Sequence, residues 1–178
     1  MLEGIVRESI GKRTSTLLRR DGYLTANLYA NGVENIQAAF KRGEFVRAVR
    51  NKESLAFAVK VGDKELKVVI QEYQLHPVNG DVKHVDLRVA VPGQVTNFLV
   101  PVTTHGVPVG LKNKGVFVLS KKRLKVRGAI EDMPAKFDLN VEALDRDQSI
   151  LVKSVEVPAN CKLMDRENVA VCGVIKAK

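Results

Sequence analysis

Cysteine is nearly missing from this 178-residue chain: Cys161 and Cys172 are the only two, and neither sits in a CxxC pair. Their scarcity excludes a disulfide framework and supplies no zinc-ligand spacing, so two reduced, packed thiols are expected and no metal site. Long apolar runs are lacking as well, and none approaches the roughly 20 residues needed to cross a bilayer. The opening MLEGIVRESIGKR has no apolar stretch of the kind a secretion signal carries. A soluble, cytoplasmic protein without a membrane partner is therefore expected. The nucleotide-binding patterns GxGxxG and GxxxxGK[ST], the nucleophile pattern GxSxG and the metal pattern HExxH are all absent, which argues against catalysis and against a cofactor. No internal repeat or low-complexity tract stands out.

What the chain has in excess is positive charge. Twenty-nine Lys and Arg against 20 Asp and Glu leave a formal +9, which points to a polyanionic partner, nucleic acid ahead of an anionic membrane. A hydrophobic content of 45% suffices for one substantial core or two small ones. Pro92 and Gly93 interrupt two strand-like stretches near the middle of the chain, and a domain boundary is placed there, giving segments 1–91 and 92–178. The first holds 15 basic and 11 acidic side chains and the second 14 and 9, so net charge does not single out either as the binding half.

In the first half, the pattern predicts a short strand from Leu2 to Glu8 and a helical turn beginning near Thr14. ANLYANG reads as a strand ending in an Asn31-Gly32 turn, and a helix is predicted from Gly43 to Asn51, with Phe45, Val46 and Val49 on one face. LAFAVKV and ELKVVIQEY flank Gly62-Asp63 as a hairpin, and KHVDLRVAV alternates Val85, Leu87 and Val89 against His84, Asp86 and Arg88. The second half reads as nearly all β: TNFLVPVTT, GVFVLSKK, RLKVRGAI, KFDLNVEAL, QSILVKSVEV and NVAVCGVIK, with one short helix near Leu144. The expected fold class is mainly β with short helices.

Three stretches concentrate chemistry. RESIGKRTSTLLRR gathers Arg7, Lys12, Arg13, Arg19 and Arg20 beside the hydroxyls of Thr14, Ser15 and Thr16, which suits phosphate as well as a solvated basic face. SKKRLKVRG sets Arg123, Lys125 and Arg127 on one strand face, equally compatible with solvent or with a binding surface. QEYQLHPVNGDVKHVDL brings Gln71, Gln74, His76, His84 and Asp86 together through a turn at Asn79-Gly80. A catalytic reading of the last stretch lacks a nucleophile with an orienting partner, and a metal reading lacks a third ligand after His76 and His84. A hydrogen-bonding surface remains, able to read base edges and 2′-hydroxyls in the shallow minor groove of an RNA helix.

These residues resemble a known family, the bacterial large-subunit ribosomal protein twenty-five in its two-domain form, also called general stress protein CTC. The resemblance rests on Arg7 with Gly11-Lys12, LRRDG from Leu18 to Gly22, ANLY from Ala26 to Tyr29, and KVVIQEYQLHP from Lys67 to Pro77 with HVD from His84 to Asp86. In the second half it rests on Pro101-Val102, THGVPVG from Thr104 to Gly110, and FDLNVEALDRDQSI from Phe137 to Ile150. It implies an N-terminal small β-barrel over 1–91 that binds 5S ribosomal RNA in the large ribosomal subunit, and a mostly β C-terminal domain over 92–178. It also implies an RNA-facing set of Arg7, Lys12, Tyr29, Gln71, Gln74, His76, His84 and Asp86, with Arg19 and Arg20 nearby. Many relatives carry an arginine pair where this chain has Thr16 and Leu17, which shifts the expected phosphate contacts to Arg13 or Arg20. A Pro that many relatives place two residues before the Ala-x-x-Tyr is replaced in Leu24-Thr25-Ala26. The expected protein is a monomer off the ribosome, with neighbouring ribosomal proteins as further partners. A second reading is a stress-associated binding module whose C-terminal domain contacts protein.

Overall fold

The computed structural model describes residues 2–52 and 54–176, with the side chain of Val33 outside the described part. The chain divides into two compact units, Met1–Gln94 and Val95–Lys178. In the first, β1 (Leu2–Val6) leads to α1 (Lys12–Arg20), then β2 (Tyr23–Ala30), β3 (Val33–Lys41), α2 (Arg42–Arg50), β4 (Phe57–Val61), β5 (Lys64–Leu75) and β6 (Val82–Val89). The six strands close into a barrel in the order β1-β3-β2-β6-β5-β4. Closure depends on two parallel pairings, β1 with β4 and β2 with β6, while the other neighbours run antiparallel.

Alternation fills the barrel. Leu24, Ala26 and Leu28 of β2, Ala38 and Phe40 of β3, Val59 and Val61 of β4, Val68 of β5, and Val85, Leu87 and Val89 of β6 form one buried cluster, joined by Leu2 and by Phe45 of α2. The predicted helix from Gly43 to Asn51 matches α2 within a residue at each end, and Phe45 packs edge-on against Phe57 with ring centroids 6.2 Å apart. Gly62, at φ +60, occupies the left-handed conformation that the β4–β5 turn requires.

Two elements of this unit depart from the expectation. α1 begins at Lys12, two residues before Thr14, because the Ser15 N–H already bonds the Gly11 carbonyl at 3.0 Å. β3 was not anticipated at all. Its Ala38 and Ala39 are weak strand formers, yet both are fully buried, and pairing with β2 from Tyr23–Lys41 to Ala30–Val33 overrides their local preference.

The second unit holds two sheets. One has the order β10-β7-β9-β12, made from β7 (Thr96–His105), β9 (Arg123–Gly128), β10 (Phe137–Asn140) and β12 (Lys162–Leu163). The other has the order β11-β13-β8, made from β8 (Gly115–Leu119), β11 (Ser149–Leu151) and β13 (Ala170–Lys176). Phe98, Val100, Leu124, Val126, Val152, Val171, Cys172 and Val174 are buried here. The expected helix near Leu144 is absent: the Leu144 N–H bonds the Val141 carbonyl in a turn, and its carbonyl accepts from Gly110. Acidic side chains divert that backbone, since Asp145 accepts from the Arg146 N–H and Asp147 adopts φ +62, so turn chemistry prevails over the apolar spacing. QSILVKSVEV is likewise not one strand, because β11 ends at Leu151 and a 3-10 turn follows over Val152–Ser154. Of the two thiols, Cys172 is buried, while Cys161 is only partly covered and lies 3.5 Å from the Asp132 carbonyl.

Gly4 of β1 faces Phe40 of β3, and a Cβ there would stand 2.4 Å from the Phe40 ring. Phe40 is fully buried and has no room to withdraw. Gly4→Ala should therefore destabilise the protein by about 1–3 kcal/mol in urea unfolding, and adding Phe40→Leu should recover part of that loss.

Candidate nucleic-acid interface

The outer face of the barrel carries a polar surface across three adjacent strands. Parallel register sets Thr25, Asn27 and Tyr29 of β2 beside His84, Asp86 and Arg88 of β6. Antiparallel register sets Gln74 opposite His84 and Glu72 opposite Asp86 on β5. Rows of Thr25, His84 and Gln74, and of Asn27, Asp86 and Glu72, thus cross the sheet. At its far end the Arg88 guanidinium lies 5.9 Å from the centre of the Tyr29 ring, a cation–π contact.

A bulge brings both glutamines to this face. Residues three apart on a regular strand point to opposite sides, so Gln71 and Gln74 could not share a face without an irregularity. The register shifts between Ile70 and Glu72: Ile70 still pairs with inward Leu87, whereas Glu72 pairs with outward Asp86. One extra residue on β5 has moved Gln74 from the core side to the solvent side.

α1 packs against β2 at one end of the surface, and Arg19 is the staple. Its Nε donates to the Lys83 carbonyl at 3.3 Å and its terminal nitrogen to Thr25 Oγ1 at 3.5 Å, while Thr25 Oγ1 itself donates to the Lys83 carbonyl at 3.1 Å. Arg7 reaches the same helix, donating to Ser15 Oγ at 2.9 Å. The hydroxyls expected to meet phosphate are committed locally: Ser15 accepts from Arg7, Thr16 donates to the Lys12 carbonyl, and Thr14 lies 3.3 Å from the Ser9 hydroxyl. Lys12, Arg13 and Arg20 are exposed. The first turn of α1 has no acidic residue and no side-chain cap, so its positive backbone end adds to these cations.

His76 lies apart from the strand face, in the loop after β5. Its Nδ1 accepts from the Val78 N–H at 3.3 Å, its N–H donates to the Asp81 carbonyl and its carbonyl accepts from Gly80. Asp81 is braced in turn by Arg42 at 2.6 Å and Asn79 at 2.9 Å. His76 therefore shapes the turn that returns the chain into β6.

Among the described residues of the barrel unit, the buried side-chain atoms without a hydrogen-bond partner are Arg7 Nε, Gln71 Oε1 and His84 Nδ1, each on a residue singled out from the sequence; Thr96 Oγ1, in the second unit, is another such atom. Polar atoms removed from water are normally paired, because leaving one unpaired costs on the order of 1–3 kcal/mol. Asp86 is 3.7 Å from His84 Nδ1, beyond hydrogen-bond reach. Burial lowers the His84 pKa below 6.5; Asp86 opposes this, and Arg19 and Arg7 reinforce it. Burial also raises the Tyr29 hydroxyl above its usual value, with Asp86 adding to the effect and Arg88 reducing it. His84 and Tyr29 are both neutral at pH 7, presenting a donor and an acceptor each rather than charge.

Asn27, Glu72 and Arg88 belong to the same surface although none was nominated from the sequence. The alternation of ANLY places Asn27 with Tyr29, so that signal was available. Glu72 owes its position to the bulge, which no spacing rule announces.

Residues 2–87 match the Ribosomal L25p family, and residues 96–178 match the family described as Ribosomal protein TL5, C-terminal domain. The chain is 58% identical to the large ribosomal subunit protein bL25 of a Nitratiruptor species over 178 residues, covering all of both chains. It is 53% identical to the proteins of the same description from Wolinella succinogenes and Campylobacter lari, again over the full length of each.

Because the unfolded chain protonates His84 at higher pH than the folded one does, its neutral form supports folding above pH 6.5 and that support is lost on acidification. Wild type should therefore lose melting temperature faster than His84→Gln between about pH 7 and about pH 5, and parallel curves would refute the assignment. With the barrel, the polar face and these matches together, the chain belongs to the ribosomal L25p family, in the form that carries a TL5-type C-terminal domain.

Proposed function

We propose that this protein is a structural, non-catalytic component of the large ribosomal subunit in the bacterial cytoplasm, and that its N-terminal barrel binds 5S ribosomal RNA through the outer face of β2, β6 and β5. The subunit role follows from family membership and from relatives described as large ribosomal subunit proteins. The RNA assignment is supported chiefly by the unpaired, buried Arg7 Nε, Gln71 Oε1 and His84 Nδ1, with Arg7 and Arg19 close enough to His84 to act on its charge. A duplex minor groove offers donors and acceptors at base edges and 2′-hydroxyls that would complete such a set.

The geometry supports a division of labour within this reading. Lys12, Arg13 and Arg20 meet phosphates, Tyr29 and Arg88 supply a flat contact for ribose or base, and Gln71, Gln74, His84 and Asp86 face groove edges. Arg19 acts mainly as a positioning residue that holds α1 against Lys83 and Thr25, and His76 does the same for its loop.

Titration of the full chain against 5S ribosomal RNA and a length-matched unrelated duplex tests the reading. His84→Ala with Asp86→Ala should weaken 5S binding about tenfold or more, at about 1 kcal/mol per lost contact, and leave the unrelated duplex unaffected. Equal binding to both RNAs, insensitive to the substitutions, would sink it. The positioning role has its own signature: Arg19→Gln should lower melting temperature and RNA affinity together, whereas Lys12→Gln should lower affinity alone and flatten its salt dependence.

A further inference from the structure

The second unit carries a row of cations that the barrel surface leaves unexplained. Leu124 and Val126 of β9 are fully buried, so Arg123, Lys125 and Arg127 stand on the opposite side of the strand. Alternate residues on a strand are separated by about 6.6 Å, a spacing close to that of successive phosphates along one nucleic-acid strand. Register places Lys162 of β12 directly opposite Arg127. Like charges facing each other across a strand pair destabilise a sheet, and neither Arg127 nor Lys162 has an ion-pair partner among the described residues.

Three acidic side chains of this unit, Asp165, Asp138 and Asp145, are engaged by other groups. Asp165 lies beside Lys125, but its oxygens accept from the Lys121 ammonium and, at 2.8 Å, from the Lys125 backbone N–H. Asp138 sits on β10, at the other edge of the sheet from β12, and is paired with Lys136 at 3.0 Å. Asp145 accepts from Asn113 and from its own loop. The outcome is a group of regularly spaced cations, Lys125, Arg127 and Lys162, with the Asp165 carboxylate at the Lys125 end. No aromatic side chain stands among its outward neighbours on β7, which are Asn97, Leu99 and Pro101, so the face lacks aromatic anchors of the kind that protein interfaces favour.

We propose that the outward face of β9 and β12 binds the phosphate backbone of an RNA strand without regard to sequence, as a second RNA contact separate from that of the barrel. The proposal does not depend on the 5S assignment. An anion bound between Arg127 and Lys162 would offset the like charges that this register sets opposite each other.

The test uses the full chain and a mixed-sequence RNA duplex, with affinity measured across a range of salt concentrations. Lys125→Gln, Arg127→Gln and Lys162→Gln together should reduce affinity about tenfold or more and make the slope of log affinity against log salt shallower by about 2–3. The charge-matched control Lys112→Gln, Lys114→Gln and Arg146→Gln, in a loop region of the same unit, should change affinity less than about twofold. His84→Ala with Asp86→Ala should leave the salt slope unchanged, which separates this face from the barrel surface. The triple variant on β9 and β12 should also melt at or above the wild-type temperature, so that lost binding is not lost folding. An equal loss in the control would mean that net charge alone acts and would overturn the proposal. Unchanged affinity in the triple variant would do the same, as would competition by polyglutamate as strong as that by RNA, which would assign the face to an acidic protein.

Discussion

Burial of Val85, Leu87 and Val89 in the barrel core sets the direction of every other side chain on β6. A strand with one buried face has only one register open to it, since a slip by one residue would carry the valines out and drive His84, Asp86 and Arg88 into the core. The polar surface is therefore the reverse side of the hydrophobic one and inherits its rigidity. β6 lies between β2 and β5, so the same constraint propagates through both ladders to Asn27, Tyr29 and Gln74.

Against that rigid background the local departures acquire meaning. The bulge on β5 breaks the ladder at one residue and gains a second outward glutamine, a trade that makes little sense for stability alone. The unpaired nitrogen and oxygen atoms of Arg7, Gln71 and His84 are costly in the same way. Stability is spared elsewhere to hold them: Arg19, Thr25 and the Lys83 carbonyl lock α1 to the sheet, and the closed barrel leaves no strand edge unpaired. Proteins place such conflicts where a ligand resolves them.

Much of this was legible in the sequence, for identifiable reasons. The alternation in KHVDLRVAV reports its two faces directly, because a strand has a period of two and the residues on each side differ sharply in polarity. Gly62-Asp63 between two apolar runs marks its hairpin through the conformation it demands. The alternating Arg123, Lys125 and Arg127 were visible as a strand face, although only pairing with β12 reveals Lys162 opposite Arg127. What escaped depends on tertiary context. β3 is built around alanines that carry no strand signal, and α1 starts at a glycine without a side-chain cap. The contact of Arg19 with the Lys83 carbonyl, far along the chain, could not be read from the sequence either. The Leu144 turn was misread as helix because apolar spacing was weighed above the acidic residues that bend the backbone there.

The parallel pairing of β2 with β6 also sets a timetable. β2 ends at Ala30, but its partner does not begin until Val82, with β3, α2, β4 and β5 made in between. A bacterial chain grows at about 5–20 residues per second, so the cations of α1 emerge seconds before the strand that completes the surface beside them. During that interval the nascent segment is basic but lacks the outward side chains of β6, which join it only when β6 docks. On the proposed RNA-binding reading, discrimination among RNAs would be acquired late in synthesis, in one step, when the barrel shuts.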